Sequence, residues 1–350
     1  MNKQLAIGIG LVTILGLAAI GILFRPDQPP APQAQQLEEL TVAAYKGDFS
    51  ALIWIAEARG LFRENGLSVT IEGFDSGVIP VRRLLEGKAH VATSGEFVIV
   101  NQLARSDNLR VLGTILRGDA IEVIARKDAG ISQPADLIGK QVGLKKGSQA
   151  EFVLNDFLMD YGLQINEVEI TDLNPMEMEE ELLGDKVDAV VVWNPFTHQL
   201  KKTLGENALA WNPRDLPFFF NIATSSKTLA QRREGLMKFM AAMLDAARFA
   251  TSNNEEARII VRDRLGYTEE YSWNSWSAIK PELSLSQALI LAMENEARWM
   301  IEKGMMPPGE FPDYSSYFAF SVMEGGCPPK RHLGHTLTPH STSRNLPDSN

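Results

Sequence analysis

The sequence predicts an α/β fold built from two blocks, each a mainly parallel sheet with flanking helices. Strand-like and helix-like segments alternate from residue 40 to residue 223, which is the pattern of βαβ units. Four strand-like runs stop at polar, Gly or aromatic residues that open a helix. Strands at residues 121–126 and 218–223 flank the second block. The chain is therefore expected to cross between two lobes twice, through a two-strand hinge.

The first block alternates in a regular way. Leu67, Val69 and Ile71 have the period of a half-exposed strand, and Ser50 precedes a helical pattern as an N-cap would. Helices are predicted to stop near Gly60 and Gly87. The predicted strands are residues 40–44, 67–71, 90–93, 110–116 and 121–126, and the predicted helices are residues 50–58, 78–85 and 97–104.

The second block repeats this plan. Residues 187–192 are an unbroken apolar run, as expected for a strand that is buried on both faces. Pro175 is expected at the first position of a helix. Beyond residue 223 the chain reads as helical to about residue 303, with Ser284 and Gln287 in a capping-box pattern before the last long helix. The other predicted elements are strands at 140–144, 168–173 and 218–223 and a helix at 148–160.

The two ends differ from this central part. Residues 5–24 carry no charge and have about the length of a membrane-spanning helix. We interpret them as an export signal that stays as an anchor, with the Pro/Gln-rich residues up to 36 as a spacer. Residues 325–350 are polar and aperiodic, which predicts disorder. Cys327 and the three nearby histidines match no standard zinc spacing, so we predict no metal site.

Composition excludes one class of partner. The chain has 350 residues and a formal net charge of −10, without a basic stripe. Binding to nucleic acid needs clustered Lys and Arg, so no nucleic-acid partner is predicted. The chain is long enough for two ordinary lobes, each with its own core.

The strand-to-helix junctions are the candidate ligand-binding site. In an open α/β sheet, ligands bind at the carboxyl ends of the strands, and the junctions should therefore face one shared crevice. The Asp75-Ser76-Gly77 loop could also approach a ligand through its backbone. The candidate ligand-binding residues are Tyr45, Ser50, Ser76, Gly77, Ser94, Glu96, Gly147, Ser148, Trp193 and Asn194.

Three of these junctions have structural alternatives. The helix that follows Gly147-Ser148 offers free N–H groups to an anion or a carbonyl. Alternatively, Ser148 and Glu151 form only a capping box. Trp193 could present its ring and its N–H to a ligand, or it could be a packing residue. Ser50 is as well explained by an N-cap role as by ligand contact.

Glu96 suggests the charge of the ligand. A buried carboxylate requires a cationic or hydrogen-bond-donating partner, whereas a carboxylate in the first turn of a helix can equally face solvent. If Glu96 and the helix end at Ser148 both face the crevice, the ligand should carry a nitrogen donor at one end and an acceptor at the other. A simple sulfonate would then meet Glu96 at an energetic cost.

The sequence contains no signature of catalysis. There is no nucleophile elbow, Walker loop, zinc-binding helix or dinucleotide fingerprint. Gly8-Ile9-Gly10 lies inside the apolar N-terminal run and is not a phosphate loop. We therefore predict no catalytic residue and no cofactor.

Several segments resemble the periplasmic solute-binding proteins of nitrate/sulfonate/taurine-type ABC importers, whose superfamily includes thiamine-pyrimidine synthases. The resemblance covers about residues 40–324 and lies in ALIWIAEARGLFRENGL at 51–67, GKAHVATSGE at 87–96, DLIGK at 136–140, Gly147-Ser148 and DAVVVWNP at 188–195. It implies a type II two-lobed fold that closes on a ligand at the junctions named above. The synthases need a cysteine-rich motif, and Cys327 is the only cysteine here.

The resulting hypothesis is a monomeric, extracytoplasmic solute-binding protein, tethered to the inner membrane by residues 5–24, that delivers a nitrogen-containing or sulfonate-type ligand to an ABC permease. The alternatives are a binding protein that reports to a membrane signalling partner and an enzyme of pyrimidine synthesis. The predicted organisation is an anchor and spacer at 1–36, the first lobe at 37–126, the second lobe at 127–217, a return to the first lobe at 218–324, and a tail at 325–350.

Overall fold

The computed structural model describes residues 36–118, 121–213, 218–309 and 312–325. Eleven strands lie in these ranges and form two sheets. Numbered along the chain, they are β1 (Glu38–Tyr45), β2 (Leu67–Phe74), β3 (Val91–Gly95), β4 (Leu109–Gly118), β5 (Ile121–Arg126), β6 (Gln141–Leu144), β7 (Glu169–Asp172), β8 (Ala189–Trp193), β9 (Ala208–Trp211), β10 (Phe218–Ser225) and β11 (Ile279–Ser284).

The helices cover both sheets. Within the described ranges they are α1 (Ala51–Ala58), α2 (Leu61–Glu64), α3 (Val78–Leu85), α4 (Glu96–Leu103), α5 (Gln149–Asp160), α6 (Met178–Leu183), α7 (Phe196–Leu204), α8 (Ser226–Gln231), α9 (Arg233–Ser252), α10 (Asn254–Leu265), α11 (Glu269–Ala278), α12 (Gln287–Glu302) and α13 (Phe320–Gly325). Short 3-10 turns at Asp48–Ser50 and Tyr314–Tyr317 precede α1 and α13.

The first sheet has six strands in the order β11-β4-β10-β3-β1-β2. β1 pairs in parallel with β2 and β3, while β10 runs antiparallel to both β3 and β4. β10 is buried along its whole length. A strand in the middle of a covered sheet has both faces packed, which explains its apolar start, Phe218-Phe219-Phe220.

The second sheet has five strands in the order β7-β6-β8-β5-β9. β6 pairs in parallel with β7 and β8, and β5 runs antiparallel to β8 and β9. The two-sheet α/β fold is thus confirmed, and both sheets are mixed. The parallel part of each sheet is the part that the strand–helix alternation predicts.

The chain passes from the first sheet to the second between β4 and β5, and it returns between β9 and β10. One boundary from the sequence needs correction. Residues 121–126 were expected to close the first block, but β5 makes all its ladder pairs with β8 and β9 of the second sheet. The alternating apolar pattern of this segment gave no information on which sheet it joins.

Three other expectations were wrong, two of them beyond residue 223 and one at Pro175. This part of the chain was predicted to be helical, but Ile279–Ser284 forms the edge strand β11, paired with β4. Ser284 is therefore in a strand, and Ser286 is the residue that precedes α12. The helix expected at Pro175 starts later, at Met178, because Asn174 and Glu177 first form a hydrogen-bonded turn.

The predictions about the two termini concern residues that lie mostly outside the described ranges. The proposed anchor at residues 5–24, most of the spacer, and Cys327 with the nearby histidines lie outside the described ranges. Within those ranges, no helix combines the length and the apolar character that crossing a bilayer requires. The same ranges contain no cluster of His, Cys, Asp and Glu suited to a metal ion.

Candidate ligand-binding site

A cavity lies between the carboxyl ends of strands from the two sheets. It holds about 340 Å³ of atom-free space, including the part that opens to solvent. The described residues that line it are Tyr45, Phe49, Gly77, Gly95, Val98, Ile121, Ser148, Gln149, Trp193, Phe218 and Phe220.

Both sheets contribute to this cavity at the ends of their elements. Tyr45 and Gly95 are the last residues of β1 and β3, and Trp193 is the last residue of β8. Gly77 stands directly before α3, and Gln149 is the first residue of α5. The carboxyl ends of parallel strands therefore meet where an open α/β sheet binds its ligands.

Aromatic rings form one wall of the cavity. Phe49 lies at the centre, with ring centroids 5.4 Å from Tyr45, 5.0 Å from Phe218 and 5.6 Å from Phe220. Trp193 adds an indole from the second sheet and is only 6% exposed. This wall suits an apolar or flat ligand body, which gains from burial and from ring contacts.

Three helices begin at the cavity. α3, α4 and α5 start next to Gly77, Gly95 and Ser148, and each is at least eight residues long. The first N–H groups of a helix lack partners within the helix and carry partial positive charge. At α4 the Phe97 N–H already donates to Gln149, so the starts of α3 and α5 are the ones that favour a ligand with an anionic or carbonyl oxygen.

The structure brings four of the predicted residues to the cavity, namely Tyr45, Gly77, Ser148 and Trp193. The hydroxyl of Ser148 also makes local hydrogen bonds: it donates to the Lys145 carbonyl at 2.7 Å and accepts from the Ala150 N–H at 3.3 Å. Burial raises the pKa of Tyr45 well above its ordinary value, so that its hydroxyl stays a neutral donor.

Glu96 is not in the lining. Its side chain is fully buried and accepts from the Phe219 N–H with both oxygens, at 3.1 and 3.2 Å. Burial raises the pKa of Glu96 to about 8. The carboxyl is therefore engaged with β10, and it does not require a nitrogen donor on the ligand.

The other predicted residues also lie outside the lining. The hydroxyl of Ser50 bonds to Thr93 at 3.0 Å, and that of Ser94 donates to the Gly77 carbonyl at 3.0 Å. Ser76 is buried. The N–H of Gly147 donates to Glu151 at 2.9 Å, whereas that of Ser148 donates to the Lys145 carbonyl, so Ser148 and Glu151 do not form the capping box given as the alternative.

Asn194 connects the two sheets through its backbone. Its carbonyl oxygen accepts from the Tyr45 hydroxyl at 2.5 Å, and its side chain accepts from the hydroxyl of Thr197. His198, expected on the surface, is half-buried, and its ring centroid lies 5.1 Å from that of Tyr271.

Sequence reasoning missed seven lining residues. Phe49 lies between Asp48 and Ser50, whose polar side chains were the more obvious candidates. Gln149 follows Ser148 in a pattern that is typical of helix capping. Phe218 and Phe220 open a strand that was predicted, and their alternation places both on one face. This alternation was the feature of the sequence from which their shared face could have been predicted. The residues are Phe49, Gly95, Val98, Ile121, Gln149, Phe218 and Phe220.

Comparison with known proteins identifies the family of the chain. A family model described as NMT1/THI5 like matches residues 49–257. The chain belongs to this family. The match spans three of the four predicted strand-to-helix junctions in full, together with Phe49 and Ser50 of the first. Apart from Tyr45, the described residues that line the cavity of this NMT1/THI5-like chain all lie within the matched range.

Two relatives of this NMT1/THI5-like chain carry names that concern binding. The taurine-binding periplasmic protein of Escherichia coli K12 is 27% identical over 150 residues, which are 42% of this chain and 46% of that protein. A candidate binding protein of Brucella abortus 2308 is 24% identical over 220 residues, which are 62% of this chain and 67% of that protein.

Solved structures show the fold. The alkanesulfonate-binding protein SsuA of Xanthomonas axonopodis pv. citri, bound to MOPS, matches with a TM-score of 0.70 at 18% identity, over 81% of this chain and 98% of that one. The desulfurization enzyme DszB matches with a TM-score of 0.60 at 15% identity, over 83% and 98%. The periplasmic-binding-protein fold predicted from the sequence is confirmed, and it is a fold that binding proteins share with an enzyme.

Proposed function

We propose that this protein is an extracytoplasmic solute-binding protein that captures a small organic ligand between two lobes and delivers it to an ABC permease. One observation supports this above all. The cavity is formed jointly by the two sheets, at the ends of β1, β3 and β8. A ligand held there touches both sheets and would stabilise their closed arrangement.

The family relatives support the transport role. The E. coli relative is named as a taurine-binding periplasmic protein, and the structural match from Xanthomonas axonopodis is named as an alkanesulfonate-binding protein. We infer the same class of function here. The first lobe would comprise the first sheet with its helices, and the second lobe the second sheet with its helices.

The cavity supports a ligand with an apolar body and an acceptor end. Tyr45, Phe49, Phe218, Phe220 and Trp193 provide apolar surface, and the starts of α3 and α5 provide hydrogen-bond donors. Because burial raises the pKa of Glu96 to about 8, its carboxyl is protonated at neutral pH and does not oppose an anion at this cavity. Of the two ligand types that the sequence suggested, the sulfonate type is therefore favoured.

The lining also favours binding over catalysis. Among its described members, Ser148 is the only aliphatic hydroxyl, and no His, Asp, Glu, Lys or Cys accompanies it. A serine nucleophile needs a base within hydrogen-bond reach, whereas Ser148 donates to the Lys145 carbonyl. The residues that form the cavity are suited to reversible contact.

A thermal-shift panel tests this proposal. Purified protein would be heated with ethanesulfonate, taurine, benzenesulfonate and benzamide, each in large excess. A ligand that binds only the folded state stabilises it and thereby raises Tm. At a ligand concentration of a hundred times Kd, the free energy of unfolding rises by about 2.7 kcal/mol. We expect the largest rise with a sulfonate that carries an apolar body. A rise with benzamide alone would refute the sulfonate class, and no rise in the panel combined with turnover of any member would refute the binding role.

A further inference from the structure

Gln149 connects elements that belong to different sheets. It is the first residue of α5, which packs on β8 and β5 of the second sheet, and it lines the cavity. Its Nε2 donates to Glu296 Oε1 at 2.8 Å, and its Oε1 accepts from the Phe97 N–H at 3.3 Å. Glu296 lies on α12, which packs against α4 at the first sheet. One side chain therefore joins the cavity wall to two helices of the opposite lobe.

Glu296 and Glu96 are two carboxyl groups buried in the same region. Both are at most 1% exposed, and the charge of Glu96 acts on Glu296. Among the described residues, no Lys, Arg or His forms an ion pair or hydrogen bond with either one. Two charges of the same sign cannot both persist in such a place without a cation, because desolvation and repulsion both oppose ionisation. The pair therefore holds a proton in this arrangement.

Few titratable groups face this pair from the elements around it. Tyr314 lies in the 3-10 turn that packs on α12. Burial raises the pKa of its hydroxyl, and the charge of Glu296 raises it further. α5 contributes the neutral Gln149, and β10 contributes the Phe219 N–H. On α12 itself, Glu294 is half-buried and acts on Tyr314. All of these groups are neutral or acidic. They therefore do not stabilise the state in which Glu96 and Glu296 are both ionised.

An aromatic cluster seals the region from solvent. Phe152 of α5 lies with its ring centroid 6.1 Å from Phe97 of α4 and 5.6 Å from Trp299 of α12. Phe97 and Trp299 are 5.7 Å apart. The burial of Glu296 thus depends on α5, which belongs to the other sheet.

We propose that lobe closure takes up a proton onto the Glu96–Glu296 pair, with Gln149 as the latch whose arrival buries that proton. The inference rests on the two-lobe closure of the proposed function. When α5 moves away with the second lobe, Glu296 loses both its amide partner and the aromatic seal. Its carboxyl then meets water and releases the proton to solvent.

The sign of the pH dependence follows from this cycle. Burial in the closed form raises the pKa of Glu296 well above its ordinary value, because α5 then supplies its amide partner and part of its aromatic cover. The closed form therefore binds the proton more tightly and is favoured as pH falls. Between the ordinary carboxyl value and the raised value, the ratio of closed to open molecules should fall by up to about tenfold for each pH unit of increase.

Electron–electron distance measurements between two spin labels can test this without a ligand. Full-length protein would carry Cys327→Ser with labels at Met176→Cys and Leu291→Cys, which are exposed positions at the second sheet and on α12. Distances would be recorded at about pH 6 and about pH 9. Glu296→Gln keeps the acceptor for Gln149 but cannot ionise. Glu302→Gln, at the exposed end of the same helix, is the matched control.

We expect the closed-to-open ratio to fall at least about tenfold between these pH values in the parent and in Glu302→Gln, and to stay high in Glu296→Gln. Gln149→Met, which removes the latch from the other lobe, should lower the ratio at about pH 6 and provides the test if Glu296→Gln does not fold. Equal ratios at both pH values in the parent, or a parent-like change in Glu296→Gln, would overturn the inference. Since no ligand is added, the result is independent of whether the chain binds a solute.

Discussion

The hydroxyl of Tyr45 donates a hydrogen bond to the backbone carbonyl of Asn194 at 2.5 Å. Tyr45 ends β1 of the first sheet, and Asn194 directly follows β8 of the second. The bond therefore ties together two strand ends that both border the cavity. Because a buried tyrosine needs a partner for its hydroxyl, this contact stabilises the arrangement in which the two sheets face each other.

Trp193→Ala should weaken ligand binding by about 1–3 kcal/mol, because the indole provides apolar contact and ring pairing at the cavity. The measurement is isothermal titration of parent and variant with the sulfonate that gives the largest thermal shift. Trp211→Ala is the matched control, since Trp211 packs against Phe157 with ring centroids 5.8 Å apart and does not line the cavity. Equal losses in the two variants would make Trp193 a packing residue only.

Gly47→Ala should disturb the aromatic wall. A Cβ at Gly47 would lie 2.2 Å from a ring atom of Tyr45, so the ring or the loop must move. The φ of Gly47 is −159°, which any residue adopts, and the effect is therefore steric. We expect a loss of about 1–3 kcal/mol in the free energy of unfolding, together with weaker binding. Gly309→Ala, where a Cβ would meet no atom within 4 Å, should change neither quantity.

Asp48→Asn should remove one step from the pH dependence of stability. Asp48 is 1% exposed and accepts from the Tyr271 hydroxyl at 2.7 Å, and burial raises its pKa from 3.8 to about 6. A raised pKa means that the folded state is most stable below the ordinary value and loses stability as pH rises through about 6. The loss should total about 3 kcal/mol in the parent.

Urea denaturation at a series of pH values measures this step. The difference in unfolding free energy between parent and Asp48→Asn should grow from low to neutral pH. Asp107→Asn, in an exposed loop, should leave the parent profile unchanged. Parallel profiles for the parent and Asp48→Asn would show that Asp48 ionises without cost in the folded protein.

Glu96→Gln should act on the pH dependence of stability between about pH 5 and pH 8. The pKa of Glu96 is raised to about 8 by burial, so the parent loses stability as pH rises through that value. Glutamine stays neutral, and its side-chain oxygen can still accept from the Phe219 N–H. The variant should therefore have a flatter profile of Tm against pH between about 5 and 8. A steeper profile than that of the parent would contradict the assignment.

The positions of the junctions could be predicted because they follow from local pattern. The buried run before Trp193 and the capping pattern at Ser148 each specify where a strand or helix stops, independent of what packs around it. The edge strand β11 could not be predicted in this way. Its sequence, IKPELS, is half-polar with an internal proline, and it becomes a strand because the edge of β4 is available to it.

The direction of a side chain at a junction could not be predicted from the sequence either. Glu96 was identified as a buried carboxylate candidate, and it is buried, but its partner is the Phe219 N–H across 123 residues of sequence. A pairing between β3 and β10 decides that contact, and this pairing is a property of the sheet order. The aromatic wall was missed for the same reason, because Phe49 meets Phe218 only after the chain has returned to the first sheet.

Mass spectrometry of the small molecules released from freshly purified, folded protein tests the central claim most directly. We predict one compound at near-equal molar amount to the protein, with an apolar body and an acidic or carbonyl group, retained by Trp211→Ala and largely lost from Trp193→Ala. A compound retained equally by Trp193→Ala, Trp211→Ala and the parent would contradict the account, because the bound solute would then not occupy the cavity between the two sheets.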